Sequence, residues 1–214
     1  INGVSLSDTT ITVNDMNYVD GEYYQSVAIG NFIGKMSGIG YITDSATSNQ
    51  LTLSTRINKN SNDVVSVGGM IGYNNCSKLT LSNSRVRTSV IADVNEYADT
   101  VGGMIGVNNS TIINISDSYA EGILSYLGNN TTVGGILGSV LNADSSTITL
   151  NNVYYTFNGV TSNTYGEVYS ADMNTDNYNT NYPWSIVDGS QPRLWVFDLG
   201  YNTLTENEPV KVGD

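Results

Sequence analysis

The chain has 214 residues with 20 acidic and eight basic side chains and no histidine, which gives a formal net charge of −12. This charge would repel nucleic acid and anionic membranes, no apolar run is long enough for membrane insertion, and the lack of histidine excludes His-based catalytic triads and histidine zinc sites. Val, Ile and Thr together number 60, against 42 for the strong helix formers, so the composition predicts an almost entirely β fold.

The first segment, residues 1–15, precedes every repeat and has apolar residues at alternating positions, which predicts a strand. These positions are Val4, Leu6, Ile11 and Val13. A terminal strand of this kind can complete a repeat of a neighbouring copy instead of its own. Because the sequence opens on Ile1 and not on methionine, we expect a processed or excised part of a longer protein.

A glycine-rich segment then recurs, with copies near residues 29, 67, 101 and 133. The last three copies read VGGMIG, VGGMIG and VGGILG, and the first is eroded to IGNFIG. Nine glycines of these copies are expected to allow a close approach of neighbouring backbones: Gly68, Gly69, Gly72, Gly102, Gly103, Gly106, Gly134, Gly135 and Gly138. An alternating element, typified by Leu79-Thr80-Leu81, accompanies each copy, and similar segments occur at 11–14 and 51–54.

The second and third copies align without a gap, so that Leu79 matches Ile113 and Val86 matches Ala120. One unit alone cannot bury its apolar side, whereas stacked units place equivalent residues in columns. The expected apolar column consists of Leu53, Leu81, Ile115 and Leu150. The pattern predicts an all-β, parallel β-solenoid (β-helix) of about four to five irregular coils over residues 1–155, with a C-terminal aromatic cap over 156–214 in the same domain. Loops are expected at 36–48, 93–99 and 128–132.

Several segments resemble the GLUG repeat, a Gly-Gly-Leu-Val-Gly-type motif of large surface proteins and adhesins. The best matches are residues 101–106, the Asn108-Asn109 pair and residues 117–120, which read VGGMIG, NN and DSYA. The ending from Trp184-Ser185-Ile186 to Pro192-Arg193-Leu194-Trp195 is similar to the segment that often follows such repeats. The resemblance implies a secreted or surface-displayed β-helical stalk, and it transfers no catalytic residue.

Two kinds of modification or ligand site are suggested by the loops. Five N-glycosylation sequons fall in predicted turns or loops, at Asn75, Asn108, Asn109, Asn129 and Asn130. Three residues place oxygen ligands at alternate positions, as in the first half of a calcium loop: Asp172, Asn174 and Asp176. The segment lacks the sixth-position glycine and the closing glutamate of such loops. A plain Asx-rich turn without a bound ion is therefore the alternative interpretation. Calcium is therefore a candidate, and no other cofactor is expected.

Polar and aromatic surfaces have two interpretations each. The outward positions of the alternating element form a column of Thr12, Thr52, Thr80, Asn114 and Thr149. Its mixed composition favours an ordinary solvent-facing strand surface over an ice-binding threonine array. The tyrosine-rich ending with Trp184 and Trp195 would either stack on sugars or, as we favour, plug the last coil. Cys76 aligns with Ser110 in a predicted turn and has no histidine to activate it as a nucleophile.

The sequence as a whole favours a non-enzymatic structural or adhesive module of an extracellular or cell-surface protein or filament. Its expected partners are neighbouring repeats, other copies of itself and surface glycans, and no nucleic acid. One alternative is a filament subunit that polymerises by pairing of end strands. Another is a glycan-binding or polysaccharide-acting β-helix protein, in which a carboxylate pair such as Asp172 and Asp176 would act. The shortage of basic residues counts against the binding of acidic polysaccharides.

Overall fold

The computed structural model describes residues 1–13, 27–53, 65–92, 100–126 and 132–158, together with the pairs 167–168, 184–185 and 193–194. Within these residues the chain is almost entirely β, and its one helical element is the 3-10 turn Ala143–Ser145. The strands are β1 (Ser5–Val13), β2 (Val27–Gly30), β3 (Ile33–Thr43), β4 (Ala46–Leu53), β5 (Val65–Gly68), β6 (Ile71–Ser82), β7 (Arg85–Ala92), β8 (Thr100–Gly102), β9 (Ile105–Asn108), β10 (Ile112–Tyr126), β11 (Thr132–Gly134), β12 (Leu137–Val140), β13 (Thr147–Asn158), β14 (Glu167–Val168), β15 (Trp184–Ser185) and β16 (Arg193–Leu194).

The strands form two parallel sheets and one small antiparallel pair. Ten strands, including β1, β4, β7, β10 and β13, belong to the larger sheet, while β2, β5, β8 and β11 form the smaller one. β15 pairs with β16 in the antiparallel sense. The predicted all-β class is therefore confirmed, and so is the parallel arrangement of the repeats.

Four units follow one another along the chain, and equivalent residues of successive units are hydrogen-bonded neighbours. Unit 1 consists of β2 to β4, unit 2 of β5 to β7, unit 3 of β8 to β10 and unit 4 of β11 to β13. Val67 pairs with Val101, which pairs on its other side with Val133, so the Gly-Gly segments lie over one another in one parallel sheet. We call this in-register series of units the stack.

The last strand segment of each unit stands in a column that extends beyond the four units. This column contains Ser5, Ala46, Arg85, Tyr119, Tyr154 and Glu167, each paired with the next. The two outer members belong to β1 and β14. These two strands therefore add a partial layer at each end of the stack.

The hydrophobic core lies between the two sheets and contains one set of side chains from each unit. The residue after the second position of the Gly pair is Met70, Met104 or Ile136, and each of these is fully buried. The Met70 N–H donates to the Met104 carbonyl (2.9 Å), and the Met104 N–H donates to the Ile136 carbonyl (3.0 Å). The backbone ladder thus continues through the bends between the strands, where unpaired buried amides would be costly.

Every unit contains a left-handed corner, which lies between β3 and β4 in unit 1, between β6 and β7 in unit 2, within β10 in unit 3 and within β13 in unit 4. The corner residues are Asp44, Asn83, Asp117 and Asn152, with φ between 45° and 54°. Asp and Asn tolerate this conformation better than other residues that carry a Cβ. Because the corner falls at the same place in each unit, it fixes the register of the strands on either side.

Two details of the predicted layout are wrong. Residues 36–48, expected to form a loop, lie in β3 and β4 except for the corner at 44–45. The position equivalent to Leu81 in unit 1 is Ile42, whereas Leu53 pairs with Val13 and Ala92 in another column. The segments at 11–13 and 51–53 resemble the alternating element in sequence, but they lie in β1 and in its partner β4, the strand that follows the corner of unit 1. The first copy of the alternating element lies at 39–43. It is hard to recognise because Gly40 stands at the position of Leu79 and Tyr41 at that of Thr80.

Candidate functional site: polar ladders and the two ends of the stack

A buried ladder of asparagine side chains joins units 2 and 3. The Asn74 Nδ2 group donates to Asn108 Oδ1 (2.7 Å), and Asn74 Oδ1 accepts the Cys76 N–H (3.2 Å). Both asparagines are fully buried. Among the described residues the Asn108 Nδ2 group has no hydrogen-bond partner, because the aligned residue of unit 4 is Val140. A buried donor left unsatisfied costs about 1–3 kcal/mol.

Extending this ladder by one residue should stabilise the protein. Asn in place of Val140 offers a carbonyl oxygen to the unpaired Asn108 Nδ2 group, so Val140→Asn is expected to raise the free energy of unfolding by about 1 kcal/mol. Urea unfolding followed by circular dichroism measures the change. Val140→Thr removes similar apolar surface without reaching the amide, and it should destabilise. Equal destabilisation by both variants would disprove the explanation.

A second asparagine ladder runs along the outer surface and contains two of the predicted glycosylation sites. Asn142 Nδ2 donates to Asn109 Oδ1 (3.0 Å), and Asn109 Nδ2 donates to Asn75 Oδ1 (2.8 Å). Asn75 is exposed and Asn109 is half-buried. Asn108 is fully buried, which leaves no room for a glycan on its amide. Asn129 and Asn130 lie outside the described residues.

Serine follows the corner residue in the first three units and forms a third, fully buried ladder. The hydroxyls of Ser45, Ser84 and Ser118 each donate to the carbonyl two residues earlier, at 2.7–2.8 Å. The N–H of Ser84 donates to Ser118 Oγ (3.1 Å), and that of Ser45 donates to Ser84 Oγ (3.4 Å). The ungapped alignment of the second and third copies also matches Ser84 with Ser118, but it did not predict this role. Its signal in the sequence is an Asp or Asn followed by Ser, at 44–45, 83–84 and 117–118.

Several repeat glycines lie so close to neighbouring atoms, most of them backbone, that a Cβ would not fit. A Cβ built on Gly68 would lie 2.6 Å from Gly106 N and would collide with the Ile71 carbonyl oxygen; one on Gly102 would lie 2.6 Å from Gly138 N and would collide with the Ile105 carbonyl oxygen. A Cβ on Gly135 would overlap the ring of Tyr155. These glycines therefore permit close packing where a side chain would not fit.

The described residues include an ion pair between two units and a buried thiol. Arg87 forms an ion pair with Glu121 of the next unit, and its guanidinium lies 6.0 Å from the centroid of the Tyr119 ring. Cys76 is buried in β6, and burial raises the pKa of its thiol. Its reactivity is therefore low. No group of three or more His, Cys, Asp or Glu in this part of the chain could hold a metal ion.

The remaining predicted positions are placed only in part. The candidate calcium residues Asp172, Asn174 and Asp176 and the indole of Trp195 lie outside the described residues, whereas Trp184 belongs to β15. The polar column next to the core contains Tyr41, Thr80, Asn114 and Thr149 in the structure, so Thr12 and Thr52 do not belong to it. Without them the column is no threonine array.

At both ends of the stack some side chains that pack against the core are only partly buried, although Val133, Ile136 and Leu137 of unit 4 are at most 1% exposed. The partly buried side chains that pack against the core all belong to units 1 and 4: Val27, Phe32, Ile33, Met36, Val140, Ile148 and Leu150. Their counterparts inside the stack, such as Ile71 for Ile33 and Ile113 for Ile148, are fully buried.

Comparison with protein-family models, with curated proteins and with solved structures finds no match to this chain. Within the described residues, no helix has the length and apolar character needed to cross a membrane.

Proposed function

We propose that this chain is a parallel β-solenoid with a C-terminal cap, and that it serves as a non-enzymatic structural module of an extracellular or cell-surface protein. The observation that carries the proposal is the in-register column from Ser5 to Glu167, in which six equivalent residues are paired one above another. Stacks of this kind gain stability from contacts between neighbouring units, so that length can grow without a larger globular core.

The use of polar side chains supports a structural role. Asn74, Asn108 and the three buried serines satisfy hydrogen bonds within and between units, and Glu121 is neutralised by Arg87. The polar interior therefore serves the stacking of the units. The likeness of the glycine segments to GLUG repeats and the low content of charged residues (13%) favour a surface-displayed stalk.

Single-molecule force spectroscopy tests the proposed structural role. Ile1 lies at one end of the stack and Asn158 in the unit at the other, so force applied through handles at the two termini should unzip the units one at a time. Each released unit of 34 residues, the spacing of Val67 and Val101, should lengthen the chain by about 120 Å. Extension without resistance would contradict the proposal.

A second test concerns the enzymatic alternative. The same preparation should release no reducing ends from neutral or uronate polysaccharides. Release of reducing ends that is lost when a single carboxylate is replaced would favour an enzyme instead.

A further inference from the structure

The first residues of the chain reproduce the corner of a unit. Gly3 has a φ of 64°, in the left-handed region that the corner residues of units 1 to 4 also adopt. The Gly3 N–H donates to the Thr43 carbonyl (3.2 Å), and the Asp44 N–H donates in the same way to the Ser82 carbonyl (3.2 Å). Asn2 stands beside Thr43 in a parallel bridge. Gly3 is therefore the corner of a further layer before unit 1, which we call unit 0.

The bonds that follow this corner also repeat those of the complete units. The Val4 N–H donates to Ser45 Oγ (3.4 Å), as the Ser45 N–H donates to Ser84 Oγ (3.4 Å). The Ala46 N–H donates to the Val4 carbonyl (2.8 Å), and β1 then pairs with β4 in parallel. Residues 1–13 thus form the second half of unit 0, from the end of its alternating element through its last strand.

The side chain of Ile1 stands at a core position whose own layer is incomplete. It precedes Asn2 by one residue, so it is equivalent to Ile42 in unit 1 and to Leu81 in unit 2. Ile42 and Leu81 are fully buried, whereas Ile1 is 46% exposed. An apolar residue at the place of a buried column is expected to be covered once the rest of its layer is present.

The side of unit 1 that faces unit 0 is open. Among the described residues, β2 and residues 33–40 pair with unit 2 alone. Phe32 and Ile33 are only partly buried, although their equivalents in unit 4, Ile136 and Leu137, are fully buried. The two ends of the stack therefore differ, and the open one is the end at which half a unit is already in place. An open strand edge is a template for a further strand.

Gly34 keeps a glycine at a position where the preceding unit makes close contact elsewhere in the stack. A Cβ on Gly72 would lie 2.7 Å from the Gly34 carbonyl oxygen, and one on Gly106 would lie 2.6 Å from the Gly72 carbonyl oxygen. Among the described residues, apart from the sequence neighbours of Gly34, a Cβ there would meet only Ala28 of its own unit, at 2.9 Å. Unit 1 thus leaves room for the backbone of a preceding unit at the same close distance.

We infer that the open face of unit 1 is the docking site of the first half of unit 0, a glycine-pair segment of the same repeat type that joins Ile1 directly in the polypeptide. The backbone indicates this source, because the Ile1 nitrogen already donates to the Tyr41 carbonyl (3.0 Å) and so continues the ladder toward the segment before it. The inference rests on the proposed solenoid and extends it by a complete unit. The occupant adds parallel strands to β2 and β3.

Fusion of a copied half unit to the full 214-residue chain tests the inference. Residues 100–114, TVGGMIGVNNSTIIN, are placed directly before Ile1, so that the copy of Asn114 precedes Ile1 as Asn114 precedes Ile115. We expect the midpoint of urea unfolding to rise by about 1 M, because the added half unit covers the open face of its neighbour. Hydrogen exchange of the amides in residues 33–40 should slow at least about 10-fold.

The matched control is the same fusion with valine at its copy of Gly102. A Cβ at Gly102 overlaps the Ile105 carbonyl oxygen of its own unit, so this segment should stay undocked and both readouts should keep their wild-type values. Equal shifts for the two fusions, or no shift for either, would overturn the inference. Should the first fusion aggregate, a fusion copied from residues 65–80 provides the same measurement.

A free peptide of the same 15 residues tests the source of the occupant. A covalent connection supplies a millimolar effective concentration, so the peptide at micromolar concentration should not slow exchange in residues 33–40. Protection by the free peptide equal to that of the fusion would assign the face to a separate chain and overturn the covalent connection. Stepwise unzipping of the wild type with no gain from the fusion would refute the docking site while leaving the proposed architecture intact.

Discussion

Replacing Gly102 with valine is expected to abolish folding. A Cβ at this position would lie 2.6 Å from Gly138 N in the next unit and would overlap the Ile105 carbonyl oxygen. These atoms are backbone, and the ladder between β9 and β12 holds them in place, so relaxation would require units 3 and 4 to move apart. We expect a loss of more than about 4 kcal/mol, which exceeds the effect of most single substitutions and leaves a protein of ordinary stability largely unfolded.

A matched control separates this collision from the general effect of a β-branched side chain. Thr80→Val places valine in β6 at a half-buried position outside the core and should change stability by no more than about 0.5 kcal/mol. Denaturation in urea, together with the yield of soluble protein, measures both variants. A folded Gly102→Val protein with a stability near that of the wild type would mean that units 3 and 4 are not in the contact described.

Asn108→Asp is expected to produce a large loss of stability that depends on pH. The aspartate would keep the bond from Asn74 Nδ2, but its second oxygen would face Val140 in a fully buried site. Burial disfavours the charged form, so the pKa of this carboxyl in the folded state would lie above its value of about 3.9 in the unfolded chain. At pH 7 we expect a loss of about 3 kcal/mol or more.

The direction of the pH dependence follows from the raised pKa. At a pH below the unfolded pKa the aspartic acid is neutral in both states, and the variant should approach wild-type stability. As pH rises, the unfolded state releases its proton first, so stability falls relative to the wild type until the folded pKa is passed. Asn75→Asp changes the neighbouring, exposed residue and should show little of this dependence. A pH-independent difference for Asn108→Asp would rule out the buried carboxylate as its cause.

Much of the fold was predictable because the repeated segments are similar enough to align. Val67, Val101 and Val133 pair as the spacing of the glycine segments indicates, and Leu79 lies beside Ile113. The prediction failed where the repeat is eroded. In unit 1 the alternating pattern is stronger at 51–54 than at 39–43, and only the left-handed corner at Asp44 shows which segment is equivalent to Leu79.

The buried ladders were much harder to predict. Asparagine is common throughout the chain, and the sequence pattern places both Asn108 and Asn109 in a predicted turn or loop as glycosylation candidates. In a strand, adjacent side chains point to opposite faces, so Asn108 points into the core while Asn109 joins the outer ladder. Which of the two points inward depends on the register that the whole unit adopts.

The sequence by itself determined the β class, the strong negative charge and the register between units 2, 3 and 4. The first two follow from the composition of the chain, and the register follows from the spacing of the repeats. The tertiary structure alone decided which polar side chains are buried in ladders, and that side chains such as Ile33 in unit 1 and Ile148 in unit 4 pack against the core while only partly buried. These properties depend on what lies above and below each residue. A neighbour one unit away is about 34 positions distant in the sequence, so no local pattern identifies it.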